Sequence, residues 1–147
     1  MTESAGVSGK EKINASILLE NLLQSFQELM DLKSITLTRE IKSGVMIPLS
    51  YPLAEIMMNN LLGNAIRHNV MSGRIDVKLT KGCLVLQNSG VPLNVSPDDL
   101  FKRFKKGNQS AGSTGLGLSI VKQICDLAHM KISYRFENAM HILTLTF

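Results

Sequence analysis

The chain has 147 residues, 44% of them apolar, and its sixteen lysines and arginines against twelve acidic residues give a formal charge of +4. That length suits one domain with a real core, and the lack of an apolar run of about eighteen residues or of an apolar leader excludes a membrane span and a secretory signal, leaving a soluble cytoplasmic domain. Cys83 and Cys125 lie too far apart, and too far from suitably spaced histidines, for a disulfide framework or a zinc site; both read as small core residues.

Residues 1–11 are polar and glycine-containing and read as a flexible leader or linker remnant, with residues 12–147 as the folded domain. Asn14 caps a helical stretch in which Leu18, Leu19, Leu22, Leu23, Phe26, Leu29 and Met30 recur at spacings of three and four. Ile35, Leu37 and Ile41 alternate with polar residues as a half-buried strand, and Ser43-Gly44 turns the chain toward the apolar run Val45 to Leu49. Ser50 caps the next helix. Pro52 sits in its first turn, where a missing amide hydrogen costs little, and the helix is predicted to run through His68.

Ile75, Val77 and Leu79 then alternate with charged residues, Lys81-Gly82 turns, and Cys83 to Gln87 returns as the second arm of a hairpin. Asn88 to Gly117 is rich in Gly, Pro, Ser, Asn and Lys, with a short helix expected near Asp98 to Phe104. A loop of that length is commonly functional. A helix over Thr114 to Ala128 and two strands around Glu137-Asn138 complete the chain. Hairpins separated by helices predict an α+β fold, a two-layer sandwich in which a mixed, mostly antiparallel sheet carries helices on one face.

Three groups of residues carry chemistry. A turn of about 3.6 residues sets Asn60, Asn64, Arg67 and His68 in one strip, with Leu61, Leu62, Ala65 and Ile66 facing the other way. An asparagine oxygen is a hard ligand for magnesium and Arg67 can face a phosphate, although the same asparagines would serve equally to brace loops. Gly112-Ser-Thr114-Gly115-Leu116-Gly117-Leu118 opens a helix whose free amides and positive end suit an anion; a simple cap or hinge has the same look. It lacks the Lys-Ser/Thr of a phosphate loop and the preceding strand of a Rossmann unit. Arg103, Lys105 and Lys106 lie in the long basic stretch before it and could fold over phosphates as a lid at about 92–117. Asn88-Ser-Gly90 ends an apolar strand, where a side-chain carbonyl can accept from an exocyclic amine and Gly90 leaves room for a flat ring, or where an ordinary turn would do.

In this order the pieces resemble the histidine-kinase branch of the ATPase superfamily that also holds type II topoisomerases, mismatch-repair ATPases and a heat-shock chaperone. Asn60 to His68 is similar to its asparagine box, Asn88 to Gly90 to its first glycine box, Leu100 to Phe104 to its phenylalanine box, and Gly112 to Leu118 to its second glycine box. The resemblance implies a Bergerat-type ATP-binding fold with ATP and Mg2+ as cofactors. It implies that Asn64 coordinates the metal, that Asn60 and Arg67 act with it at the phosphates, and that His68 lies near adenine or ribose. Asn88, where most members carry an aspartate, would meet the adenine amine. Gly90, Arg103, Lys106, Thr114, Gly115, Leu116, Gly117 and Leu118 would complete the nucleotide site. Pro92 stands where a second glycine of the first box is expected.

Hydrolytic relatives place a glutamate where Asn60 stands, and an amide cannot act as the base for water. The resemblance therefore implies transfer of the γ-phosphoryl group to a histidine on a separate dimerisation domain upstream, with a cognate response regulator as the next partner. None of His68, His129 and His141 carries a phosphoacceptor pattern, and the last two read as structural. The isolated domain is expected to be a monomer, its parent a homodimer with membrane anchoring left open, and no nucleic-acid partner is expected. The alternatives are an anti-sigma-type serine kinase of the same superfamily and a degenerate interaction module.

Overall fold

The computed structural model describes residues 11–93, 96–101 and 115–147. Five strands form one sheet in the order β2-β4-β5-β7-β6, comprising β2 (Thr36–Ile41), β4 (Arg74–Thr80), β5 (Cys83–Ser89), β6 (Lys131–Glu137) and β7 (Met140–Thr146). Every pairing is antiparallel except that of β2 with β4. A separate two-stranded ladder joins β1 (Ile13–Asn14) to β3 (Met46–Ile47). The helices are α1 (Ala15–Ser25), α2 (Gln27–Leu32), α3 (Tyr51–Arg67), α4 (Pro97–Leu100) and α5 (Gly115–Leu127).

Period-two patterning assigns the faces of the sheet. Ile75, Val77 and Leu79 of β4, Leu84 and Leu86 of β5, and Leu143 and Leu145 of β7 point into the core, while the alternate residues of β4 and β5 are less buried. One covered face and one more open face are usual for antiparallel sheets. Leu19 and Leu23 of α1, Met57, Met58, Leu61 and Leu62 of α3, and Val121 and Ile124 of α5 complete the same cluster. Removing one such leucine side chain would cost about 2–5 kcal/mol in lost transfer energy and residual cavity.

The predicted start signals operate as expected. Asn14 Oδ1 accepts from the Ile17 amide at 3.0 Å, and Ser50 Oγ from Leu53 at 3.4 Å, with Pro52 in the first turn of α3. The single first helix expected from the leucine spacing is instead two, broken at Phe26, whose φ and ψ are −92° and 1°. After the break Leu29 is half-exposed, because the second helix no longer continues the apolar face of the first. Of the run Val45 to Leu49 only Met46 and Ile47 pair as strand. Cys125 is buried as expected, whereas Cys83 lies on the more open face of β5 and is only half-buried.

Two contacts anchor the end of α3. Lys33 Nζ donates to the carbonyls of Ile66 (2.8 Å) and Arg67 (3.2 Å), supplying a cation where the helix dipole is negative. Asn69 Oδ1 accepts from Ser89 Oγ at 2.7 Å, and Asn69 Nδ2 donates to the Arg74 carbonyl at 3.1 Å, tying the segment after α3 to the end of β5. A Cβ on Gly73 would collide with both Asn69 Oδ1 and Ser89 Oγ, so this clip needs glycine there.

Candidate functional site

Between α3 and the inner face of the sheet lies a cavity of about 620 Å3, counting the open space at its mouth. Its walls are Leu61, Asn64, Ala65 and His68 of α3 and its cap, Leu86 and Asn88 of β5, Tyr134 of β6, and His141 and Leu143 of β7. Leu93, Leu100 and Leu118 close the side formed by the long connection and α5. A mostly apolar cleft with a few polar atoms suits a flat, partly polar group such as a nucleobase.

The asparagine strip is only partly gathered here. Asn64 and His68 line the cavity; Asn60 and Arg67 do not. Asn60 Nδ2 is bonded back to the Ile56 carbonyl at 2.9 Å, and Arg67, exposed, donates from Nη2 to Asn64 Oδ1. Leu61 and Ala65, expected to face away from the strip, line the cavity beside Asn64. Asn64 Nδ2 is buried and has no partner among the described residues, an arrangement that costs about 1–3 kcal/mol until a ligand or water satisfies it.

Asn88 is 8% exposed and sits at the end of β5, its Nδ2 donating to the Ser89 carbonyl at 3.0 Å. With the amide side tied to the backbone, Oδ1 is the atom offered to a ligand. Gly90 is needed for space and not for its dihedral angle. A Cβ there would lie 2.7 Å from His141 Nε2 and 2.9 Å from the His68 carbonyl oxygen, so three chain segments meet at that point. Leu118 brings α5 to the cavity and Gly115, Leu116 and Gly117 form its first turn, while Arg103, Lys106 and Thr114 lie outside the described residues.

His141 and Tyr134 are the wall residues that the sequence reading left out. His141 is read there as a structural strand residue, and it is 7% exposed, but its ring faces the cavity, opposite Asn88 in the β5–β7 register. Its alternation with Leu143 and Leu145 was the available signal, since it places the imidazole on the inner face. Tyr134 Oη lies 2.6 Å from His141 Nδ1, and Phe136 packs against the imidazole with centroids 4.7 Å apart. Burial holds the pKa of His141 below its ordinary value and raises that of Tyr134 to about 12, so the hydroxyl stays neutral. His68 is also held low, first by burial and then by Arg67, His141 and Lys33.

Among the described residues no group of three or more His, Cys, Asp or Glu side chains could hold a metal ion. Magnesium needs no such cluster, because it keeps few protein ligands and a single asparagine oxygen can hold it together with phosphate oxygens.

A family model described as histidine kinase-, DNA gyrase B- and HSP90-like ATPase matches residues 51–144. The heme sensor protein HssS of Staphylococcus aureus is 29% identical over 141 residues, which are 92% of this chain and 30% of that protein. The chain therefore spans about a third of the length of such relatives. Among solved structures, the catalytic domain of histidine kinase ThkA superposes with a TM-score of 0.78 at 21% identity, covering 92% of each chain. A complex of ThkA with the response regulator TrrA matches with a TM-score of 0.73 at 20% identity, over 92% of this chain and 40% of that one. At these identities the structural likeness bears on the fold, which has the predicted α+β arrangement.

Proposed function

Since the chain belongs to the histidine kinase-, DNA gyrase B- and HSP90-like ATPase family, we propose that it is the ATP-binding catalytic part of a sensor histidine kinase, passing the γ-phosphoryl group of ATP to a histidine on another domain. The observation that carries this reading is the cavity itself. It is apolar where a base would lie, with Asn88 Oδ1 at its sheet wall and the incompletely satisfied amide of Asn64 on its helix wall.

The residues fit a magnesium nucleotide. Arg67 is exposed and now donates to Asn64 Oδ1. A guanidinium pairs more strongly with a phosphate than with a neutral amide, so phosphate binding would draw Arg67 away and free Oδ1 as a hard ligand for a cation. Magnesium, when bound, would neutralise charge on the phosphates. Leu61, Ala65, Leu86 and Leu143 exclude water from the base, and Lys33 holds the end of α3 in place. For this chemistry the protein contributes mainly position and electrostatics.

Asn60 stands one turn before Asn64 and cannot take a proton from water, which favours transfer to another nucleophile over hydrolysis. The partners proposed are a histidine-bearing dimerisation domain and a response regulator, the latter supported by the ThkA–TrrA likeness. No helix among the described residues is long and apolar enough to cross a membrane.

Titration calorimetry with a non-hydrolysable ATP analogue, with and without Mg2+, tests the reading. Binding that strengthens with magnesium is expected, and Asn64→Ala should remove the magnesium dependence while the fold melts as before. Mixing the domain with a histidine-bearing helical hairpin and Mg-ATP should yield acid-labile phosphohistidine, and Asn64→Ala should abolish it. No binding at millimolar nucleotide would leave the interaction-module reading in its place.

A further inference from the structure

The segment just after α3 and the end of β5 meet at two successive residues. At the first, Ser89 Oγ donates to Asn69 Oδ1 at 2.7 Å; at the second, Gly90 packs so closely on the His68 carbonyl oxygen that a Cβ would lie 2.9 Å from it. The orientation of the Asn69 amide is fixed by its other bonds. The Val70 amide, which can only donate, reaches Oδ1 at 2.8 Å, and Nδ2 donates to the Arg74 carbonyl at 3.1 Å. Ser89 Oγ in turn accepts from the Arg74 amide at 2.8 Å. This group has no slack: Asn69 is buried, and even a methyl on Gly73 would collide with both side chains.

Neither Asn69 nor Ser89 lines the cavity, yet each is the chain neighbour of a residue that does, Asn69 following His68 and Ser89 following Asn88. Alternation along β5 turns Ser89 away from the face that Asn88 presents. The bond between them therefore lies behind the cavity and joins its helix wall to its sheet wall. Farther along, leucines hold α3 against β5. At this corner the joint is made of directional hydrogen bonds, which fix a spacing as well as a contact.

We propose that Asn69 and Ser89 are positioning residues: their clip sets the separation of the helix and sheet walls of the cavity, and affinity for ATP depends on it although neither residue touches the ligand. This rests on the ATP-binding reading. Residues that contact a ligand perform only when supporting hydrogen bonds hold them near the productive geometry. With the clip broken, only part of the population keeps His68 and Asn88 at the right spacing, and apparent affinity falls by that fraction.

Calorimetric titration of the whole chain with a non-hydrolysable ATP analogue and Mg2+ tests this. Ser89→Ala and Asn69→Ala are each expected to raise Kd by about two- to tenfold at unchanged stoichiometry, the worth of one hydrogen bond. The double variant should be little worse than either single one, because each alone breaks the same joint. Ser16→Ala is the matched control. Its hydroxyl also joins two segments, donating to the Lys42 carbonyl and accepting from the Val45 amide at 3.0 Å, but it stands apart from the cavity. It should lower the melting temperature as the clip variants do, yet leave Kd where it was. A merely structural clip gives reduced stoichiometry at unchanged Kd, or a rise in Kd as large in the Ser16→Ala protein. Either result overturns the proposal, as do clip variants that bind like the wild type. Wild-type protein that binds no nucleotide would instead overturn the ATP-binding reading itself, and this inference with it.

Discussion

Replacing Gly90 with alanine tests whether the meeting point of α3, β5 and β7 is as tight as described. The new methyl would fall 2.7 and 2.8 Å from His141 Nε2 and Cδ2 and 2.9 Å from the His68 carbonyl oxygen, where 3.4–4 Å is ordinary contact. Neither neighbour can yield freely, because His141 is held by Tyr134 and Phe136 and the other contact is backbone. Overpacking of this kind costs about 1–3 kcal/mol, and a domain of this size should then melt about 3–10 °C lower. Since His68 and His141 both line the cavity, the displacement also lands on the wall proposed to hold the nucleotide, so affinity for an ATP analogue should fall by about tenfold or more. Gly63→Ala is the control. There a Cβ meets only Arg67 Nη1, at 3.6 Å, within α3, and alanine should stabilise the helix by about 0.5–1 kcal/mol. Scanning calorimetry and nucleotide titration read both variants. Gly90→Ala protein that melts and binds like the wild type would refute the packing argument.

Two further outcomes follow from the same structure. In the hairpin turn between β6 and β7 both Asn138 (φ 54°) and Ala139 (φ 63°) are left-handed, and alanine pays for that conformation where glycine does not. Ala139→Gly should therefore raise stability by about 1 kcal/mol, and a lower melting temperature would contradict the turn assignment. His68 and His141 both have folded-state pKa values below 6.5. The unfolded chain then binds more protons between the folded values and 6.5, so stability is greatest above 6.5 and declines as pH falls through that window. Melting scans from pH 7.5 to 5.5 should show the decline, and His141→Asn should make it shallower; a flat profile would refute the burial of these rings.

Much of the fold was legible because its signals are local. Asn14, Ser50 and Pro52 act within one helical turn, and the alternation in β4, β5 and β7 follows from the period of the backbone itself. The parallel pairing of β2 with β4 was not legible, since alternation assigns a face and not a neighbour. The interruption at Phe26 was hidden because spacings of three and four continue across it. Of the residues lining the cavity, Asn64, His68, Asn88 and Leu118 stood out in the sequence through their own motifs. Tyr134 and His141 were missed because their place on the same wall depends on pairing: β5 with β7 sets His141 opposite Asn88 across a long stretch of chain, and β7 with β6 then adds Tyr134.

The strand order has a consequence for synthesis. β7 follows every other described element in the chain yet lies between β5 and β6, so until it emerges from the ribosome the edge of β5 has no partner on that side. A nascent chain at that stage already has α3 and the β4–β5 hairpin but lacks His141 and Leu143, two pieces of the cavity wall. Pairing that waits for distant residues is slow and leaves apolar strand edges open to other chains. A chain stalled before residue 140 would therefore be both unable to hold a base and prone to associate through the unpaired side of β5, which makes insertion of β7 the step at which binding competence and solubility are acquired together.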